Sequence, residues 1–265
     1  MTETQNILQR IAEAGRADLE ERKRNVPESV LLQQLKQRQA AKSLSASLKN
    51  GDGVRIIAEL KKASPSKGVI RADFPYETIA RQYLEAGAAA ISVLTEPHFF
   101  QGSLTYLEKM AELAAGTPVP VLRKDFIFDR YQILEARAAG ADAVLLIAAL
   151  IEDDDVFAGL LGLTHELGME ALCEAHTENE VSRLIRLHAG IIGVNSRDLK
   201  IFHTDIHQTA HLLQMIPSGC AAVAESGIRH AEDLKKLSAD AYLIGETLMR
   251  AADPGMELRK LREGR

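Results

Sequence analysis

Eight short apolar segments recur along most of this chain, and longer segments with the apolar spacing of amphipathic helices separate them. The apolar segments are Val54–Lys61, Ala89–Thr95, Val119–Lys124, Ala143–Ala148, Glu170–Glu174, Ile191–Asn195, Ala221–Glu225 and Ala241–Ile244. Their ends follow one another at an average step of about 26 residues, the length of one strand followed by one helix. We therefore predict an α/β fold in which eight parallel strands close into a (β/α)8 TIM barrel, for which 265 residues is a usual length. An open doubly wound sheet is the alternative, but it does not require a regular count of eight.

The first fifty residues differ from this repeating part because their apolar residues have helical spacing throughout. The residues on two helical faces are Ile7, Leu8 and Ile11, and Leu31, Leu32 and Leu35. This segment is too short and too polar to form a core of its own. We expect residues 1–48 to form a helical extension that packs on the barrel, so that residues 1–265 make a single domain.

Local signals place the ends of several helices. Three predicted helices stop before a glycine that suits the left-handed position after a helix: Tyr76–Ala86 before Gly87, Leu104–Ala115 before Gly116 and Tyr131–Ala139 before Gly140. Thr177 and Glu180 have the spacing of a capping box and predict the start of a further helix.

Polar side chains stand at the ends of five of the apolar strands. They are Glu59, Lys61, Lys124, Glu174, Asn195 and Glu225, and Arg197 follows the sixth strand closely. The carboxyl ends of parallel strands meet at one rim, which is where the active sites of α/β barrels lie. Opposite charges gathered in such a pocket shift each other's pKa values, as acid–base chemistry requires. We therefore expect these residues to form a catalytic site.

A phosphate site is predicted next to them. Gly227 and Gly245 follow the seventh and eighth strands, where glycine lets an anion approach backbone N–H groups. The loop from Lys61 to Gly68 carries three lysines and two serines, and we expect it to be a mobile loop that wraps an anion over the rim.

Composition excludes several classes of function. The net charge of −5 lacks the basic excess of a protein that binds nucleic acid or an anionic membrane. The longest apolar run, Ala143 to Ile151, is too short to span a bilayer, and the N-terminus lacks a hydrophobic signal segment. Cys173 and Cys220 do not have the spacing of a disulfide or zinc motif. We expect a cytoplasmic protein.

Histidines give one candidate metal site. His203, His207 and His211 are spaced four apart, which places three imidazoles on one helical face. However, Thr204 and Asp205 resemble the cap of that helix, which would leave His203 outside it. We expect no metal.

Seven stretches of the sequence carry a further pattern. They are Ile57–Gly68, Ile91–Glu96 with Phe100–Ser103, Leu122–Phe126, Asn195–Leu199, Ala224–Ile228 and Ile244–Glu246. In this order they resemble the indole-3-glycerol phosphate synthase family over essentially the whole chain. The resemblance implies a cofactor-free carboxy-lyase of tryptophan biosynthesis. It would close the ring of 1-(2-carboxyphenylamino)-1-deoxyribulose 5-phosphate with loss of CO2 and water to give indole-3-glycerol phosphate.

The resemblance also implies roles for residues of the reaction. Lys124 matches the general acid, and we expect a nearby Lys61 or Arg197 to lower its pKa. Lys61 and Asn195 match residues that hold the substrate carboxylate, with Arg197 close by. Glu59 and Glu174 match the carboxylates of the dehydration step, in which Lys61 is also a candidate acid.

The remaining implied roles concern substrate binding. Glu225 would orient substrate hydroxyls or lysines. The implied phosphate-binding residues are Ser64, Ser226, Gly227, Gly245 and Glu246, and the implied walls for the aromatic ring are Phe100 and Phe126. The chain departs from the family at Ser196, where a second Asn is common, and at Gly15, where Lys is frequent and where Gly weakens a helix.

Two alternatives remain open at this point. In the first, the chain is a Schiff-base aldolase-type barrel with Lys124 as the covalent nucleophile. In the second, it is a non-catalytic phosphate-binding barrel that serves as a partner subunit. For the synthase we expect a phosphorylated small-molecule substrate, no nucleic-acid or membrane partner, and a monomer or weak homo-oligomer.

Overall fold

The computed structural model describes residues 7–196 and 206–264. The helices are α1 Ile7–Asn25, α2 Glu28–Leu35, α3 Leu44–Lys49, α4 Tyr76–Glu85, α5 Leu104–Ala114, α6 Arg130–Ala139, α7 Asp154–Glu166, α8 Glu178–Arg186, α9 Ile206–Gln214, α10 Ala231–Lys235, α11 Glu246–Arg250 and α12 Pro254–Glu263. The strands are β1 Ile56–Leu60, β2 Ala63–Ser64, β3 Gly68–Val69, β4 Ala90–Leu94, β5 Val121–Lys124, β6 Ala143–Ile147, β7 Glu170–Ala175, β8 Ile191–Asn195, β9 Ala221–Glu225 and β10 Ala241–Ile244.

Eight of these strands form a closed parallel barrel in the order β1-β10-β9-β8-β7-β6-β5-β4. The predicted (β/α)8 TIM barrel is therefore confirmed, and β8, β9 and β10 have the predicted bounds. Strands β2 and β3 pair antiparallel in a separate hairpin, within the loop after the first strand. Sequence analysis missed this hairpin because each of its strands has only two residues, too few for a period to show.

The alternation of side chains along each strand builds two apolar layers. Residues such as Ile57, Leu122 and Leu243 belong to one buried cluster with Leu44 and Leu48 of α3. The neighbouring strand residues belong to a second cluster shared with the surrounding helices, among them Tyr83 and Phe157. Each strand thus buries both faces, which is why its sequence is a nearly continuous apolar run.

The helical extension contacts the barrel at both ends. Ser47 of α3 donates a hydrogen bond to the carbonyl of Ala89, and the Ser45 hydroxyl donates one to Glu170, both at the amino ends of strands. At the opposite end, Leu8 and Ile11 of α1 pack in the same cluster as Phe126. The extension therefore contributes to the carboxyl rim, where the polar residues gather.

Helix ends follow the sequence signals in part. Gly87 (φ 79°) and Gly140 (φ 98°) have the predicted left-handed backbone. The expectation for Gly116 is wrong, because the Thr117 backbone and hydroxyl both donate to the Ala114 carbonyl and satisfy that end of α5. The Thr177 cap forms, with its hydroxyl accepting from Glu180 N.

The second hydrogen bond of the predicted capping box, from the Thr177 backbone N to the Glu180 side chain, does not form. Glu180 Oε2 accepts from the backbone N of His176 at 2.7 Å, one residue before the cap.

Candidate active site

A cavity of about 950 Å³ opens at the carboxyl ends of the barrel strands. The structure brings together at this cavity every predicted site residue that it describes: Glu59, Lys61, Ser64, Phe100, Lys124, Phe126, Glu174, Asn195, Glu225, Ser226, Gly227, Gly245 and Glu246. Arg197 falls in 197–205, outside the described residues. The strands position these groups because their carboxyl ends converge on one rim.

Glu59 and Lys61 follow each other at a spacing of two and face the same side of β1. Lys61 Nζ lies 2.5 Å from Glu59 Oε2, so the pair forms a short, nearly buried salt bridge. Gly245 provides the space for it, since a Cβ at this position would overlap Glu59 Oε2 and lie 2.9 Å from Lys61 Nζ. Glycine is therefore required at position 245 to leave room for the Glu59–Lys61 pair, a reason that sequence analysis did not give.

Lys124, at the end of β5, lies at the centre of the acidic residues. Its Nζ is 2.9 Å from Glu174 Oε2 and 3.2 Å from Glu225 Oε2. Burial by itself lowers the pKa of Lys124, but Glu174, Glu225 and Glu59 outweigh it and raise that pKa above its usual value. The expectation that Lys61 lowers the pKa of Lys124 is therefore wrong, because the described charges nearest to Lys124 belong to acidic side chains. The part of that expectation that concerns Arg197 lies outside the described residues.

Glu174, at the end of β7, accepts contacts on both oxygens. Oε2 meets Lys124, while Oε1 accepts from Asn195 Nδ2 at 3.2 Å and lies 3.3 Å from His176 Nε2. Burial favours the neutral acid, but Lys124 and His176 outweigh burial and hold the pKa of Glu174 at about 2. Glu174 is therefore an anion at neutral pH.

Glu225, at the end of β9, is held differently. Its carboxyl group lies over Gly193 of β8, where a Cβ would overlap Oε1. Neither oxygen makes a well-aligned hydrogen bond within the described ranges. Burial raises the pKa of Glu225 to about 8, with the charges of Glu174 and Glu59 adding to it against Lys124. Two carboxyl groups that share one lysine thus differ in protonation state.

The residue next to Lys124 was not predicted to matter. Arg123 points to the opposite face of β5 and is fully buried between the barrel and α6. Its guanidinium contacts Asp125 and Glu135, each at 2.9 Å, and donates to the Gln132 carbonyl. Asp125 in turn accepts from Phe126 N at 2.8 Å. This network fixes the chain just after Lys124. The sequence signal for it was Arg123 itself, a charged residue inside an apolar strand.

Apolar side chains line one part of the cavity. The Phe100 and Phe126 rings lie 5.9 Å apart, centroid to centroid, and Ile147 lines the cavity near them. Ile7 and Ile11 of α1 also line it. The sequence identified these two only as one face of a helix, since no local pattern tells which surface such a face covers.

Polar groups suited to an anion line another part. Ser226 (φ 66°) and Gly227 (φ 75°) both have left-handed backbone, which is strained for serine and typical of functional loops. The Ser64 hydroxyl is buried and makes no hydrogen bond within the described chain, so it is available to a ligand. Arg229 and Arg250 line the same cavity and were missed, because Arg229 lies just before α10 and Arg250 is the last residue of α11, positions at which a basic residue is usually solvated.

The structure offers no metal site in the part of the chain that it describes. His203 lies outside the described residues, and His211 pairs with Glu178 at 3.0 Å. Across the two described ranges, no helix is long and apolar enough to cross a membrane.

Comparisons with known proteins agree with one another. The sequence matches a family model described as Indole-3-glycerol phosphate synthase over residues 8–261. A relative of that name from Ruminiclostridium cellulolyticum is 45% identical over 261 residues, which cover 97% of this chain and 98% of the relative. Another from Sulfurimonas denitrificans is 49% identical over 216 residues, covering 80% and 81% of the two chains. A solved thiamine phosphate pyrophosphorylase from Pyrococcus furiosus has a TM-score of 0.61 at 16% identity over 84% of this chain and 97% of its own, which indicates a shared fold alone.

Proposed function

Because the chain belongs to the indole-3-glycerol phosphate synthase family, we propose that the acids and amines of its cavity carry out that family's reaction in the roles below. The chain is a carboxy-lyase of tryptophan biosynthesis that acts on a phosphorylated small molecule. The observation that supports the assignment of roles is the contact of Lys124 with both Glu174 and Glu225.

Ring closure is the first step. The ring carbon that carries the carboxylate attacks the ketose carbonyl carbon, and the carbonyl oxygen takes a proton from Lys124 Nζ. The raised pKa of Lys124 keeps this proton in place at neutral pH. Transfer becomes favourable as negative charge develops on the oxygen in the transition state.

Decarboxylation follows. The bond between the ring carbon and the carboxylate breaks, CO2 leaves, and the electron pair restores the aromatic ring. Lys61 and Asn195 hold the carboxylate before it leaves, and Arg197 assists them. Lys61 and Asn195 line the same cavity as Lys124, which supports this role.

Loss of water completes the indole. The hydroxyl group leaves with the proton of the Lys61–Glu59 pair, whose N···O distance is 2.5 Å. Glu174, an anion at neutral pH, takes the proton from the adjacent carbon. That proton then returns to Lys124, 2.9 Å away. The Lys61–Glu59 pair regains its proton from solvent, which matches the net uptake of one proton when a carboxylate leaves as CO2, and the starting state is restored.

The remaining residues bind the substrate. Glu225 carries a proton near neutral pH and donates a hydrogen bond to a substrate hydroxyl. The residues that bind the phosphate are Ser64, Ser226, Gly227, Gly245 and Glu246. Phe100 and Phe126 enclose the aromatic ring.

The Schiff-base alternative is less favourable at this site. A lysine must lose its proton to act as a nucleophile, and the carboxylates around Lys124 raise its pKa instead. Borohydride with a carbonyl substrate would label Lys124 only if the alternative holds.

The test of the proposed reaction is turnover of 1-(2-carboxyphenylamino)-1-deoxyribulose 5-phosphate, with CO2 release and indole fluorescence followed together. We expect one CO2 for each indole formed. Binding of the substrate without CO2 release would identify a non-catalytic phosphate-binding barrel. Glu174→Gln should release CO2 faster than indole appears, because the dehydration base is lost.

We also propose that residues 1–265 act as one domain, as a monomer or weak homo-oligomer in the cytoplasm. The apolar cluster that joins Leu8 and Leu44 of the extension to the barrel strands supports the single domain. The free thiols of Cys173 and Cys220 support a reducing compartment.

A further inference from the structure

His176 lies behind the site, between two carboxylates. Its Nε2 is 3.3 Å from Glu174 Oε1 and its Nδ1 is 3.6 Å from Glu180 Oε2. The side chain is 13% exposed, and neither ring nitrogen makes a well-aligned hydrogen bond within the described ranges. The protonation state of the His176 ring therefore depends mainly on Glu174 and Glu180.

Only the imidazolium form suits this arrangement. A neutral imidazole has one donor and one lone pair, so one ring nitrogen would direct its lone pair at a carboxylate oxygen. The acidic groups that face the ring in the described chain are Glu174 in β7, the strand that ends just before His176, Glu180 on α8 and Glu225 on β9. Burial lowers the pKa of His176, but these three acids outweigh it and raise that pKa above the usual value.

Glu180 is fixed in place as the outer partner. Its Oε2 accepts from the His176 backbone N at 2.7 Å, and it lies in the first turn of α8. Burial raises the pKa of Glu180, but its contacts with His176 and Thr177 outweigh burial and lower that pKa. The Glu180 carboxylate, which a capping box would bond to the Thr177 backbone N, therefore contacts His176 instead.

We propose that His176 is a positioning residue for Glu174: held as a cation by Glu180, it fixes one oxygen of Glu174 and leaves the other oxygen to Lys124. The proposal rests on the catalytic roles proposed above. His176 does not line the cavity, so its effect reaches the substrate through Glu174. A second cation on Glu174 weakens the hold of that carboxylate on Lys124, which then gives up its proton more readily.

The first test separates kcat from KM in His176→Gln and Glu180→Gln. We expect His176→Gln to lower kcat by roughly tenfold, the effect of about one pKa unit at Lys124, with KM changed less than about twofold. Glu178→Gln is the matched control: it removes a carboxylate from the same helical turn, but one that faces His211 and solvent, and its kcat should equal the wild-type value. Unchanged kcat in His176→Gln would overturn the proposal.

The second test uses pH and is independent of how well His176→Gln folds. We expect wild-type kcat to fall at alkaline pH as His176 loses its proton, and Glu225, whose pKa is about 8, contributes a second fall. Glu180→Gln keeps the hydrogen bond to His176 N but removes the charge, so the fall that belongs to His176 should move to lower pH by about one unit while that of Glu225 stays in place. The imidazole Cε1–H signal of His176 in NMR titrations should move by the same amount. An imidazole titration that shifts while the kcat profile stays in place would contradict the proposal.

A double variant shows whether both residues act along one path. Because Glu180 acts through His176, His176→Gln/Glu180→Gln should have the kcat of His176→Gln alone, and additive losses would contradict the proposal. A wild-type protein without CO2 release would instead refute the proposed function. The NMR titration needs no turnover, so the two failures are distinguishable.

Discussion

Two acidic side chains of different protonation state contact the amine of Lys124, and these neighbours set the chemistry of the site. Glu174 and Glu225 both contact its Nζ, yet the pKa of Glu174 falls and that of Glu225 rises. The other contacts of the two acidic groups explain this difference in pKa. Asn195 and His176 also contact Glu174, whereas the oxygens of Glu225 make no well-aligned hydrogen bond in the described chain.

Replacing Lys124 by Met tests its role as the acid. We expect Lys124→Met to lower kcat by about 10²–10⁴-fold, the range typical of a lost general acid. The affinity for the product, indole-3-glycerol phosphate, should change little. Lys109→Met is the control, since Lys109 is an exposed residue of α5 paired with Glu112. Steady-state kinetics and calorimetric binding measure the two quantities, and a near-normal kcat would refute the role.

The protonation of Glu225 predicts a pH dependence of stability. Its pKa rises from 4.5 to about 8 on folding, so the unfolded chain loses this proton first as the pH rises. The folded state therefore loses stability between pH 4.5 and about 8. In urea unfolding, the free energy of Glu225→Gln minus that of the wild type should increase with pH across this window. A flat difference for Glu225→Gln would contradict the raised pKa.

At the level of elements, the neighbouring strands must leave room for these carboxyl groups. Gly193→Ala places a methyl group where Glu225 Oε1 lies, so we expect a displaced carboxyl group and a loss of kcat of about 10²-fold, as a misplaced catalytic group gives. Gly190→Ala is the matched control, because a Cβ there meets no atom within 4 Å. Kinetics of both variants test the prediction, and equal kcat values would contradict it.

Helix α1 offers a second test at this scale. Gly15 lies inside α1, and a Cβ there would meet only the Phe128 ring, 3.4 Å away. Gly15→Ala should therefore raise the free energy of unfolding by about 0.5–1 kcal/mol. Gly159→Ala in α7, where a Cβ meets nothing, provides the value for helix propensity alone. Chemical denaturation measures both, and a destabilised Gly15→Ala would show that Phe128 cannot adjust.

The sequence predicted elements well where a local period exists and poorly where contacts are distant. The eight barrel strands were all found, because apolar runs and their spacing are properties of the chain itself. The β2–β3 hairpin is too short for a period. The prediction that Glu180 accepts from the Thr177 backbone N was wrong, because Glu180 accepts from the His176 backbone N instead. Which of these two neighbouring donors the carboxylate takes is visible only in three dimensions.

The whole molecule joins these parts through the barrel and its extension. The extension packs at the amino ends of the strands through α3 and at the carboxyl rim through α1. The gathering of Glu59, Lys124 and Glu174 at one rim followed from parallel strands and was predictable. The contribution of Ile7 and Ile11 to the cavity was not, because the docking of a helical face on a distant rim has no local signal.

A crystal structure of the protein with indole-3-glycerol phosphate bound tests the central claim most directly. We predict the phosphate at Ser226, Gly227 and Gly245, the indole ring beside Phe100 and Phe126, and Lys124 Nζ within contact distance of the ring carbons that formed the new bond. A product bound away from this rim, or bound there with Lys124 directed away from the indole, would contradict the account.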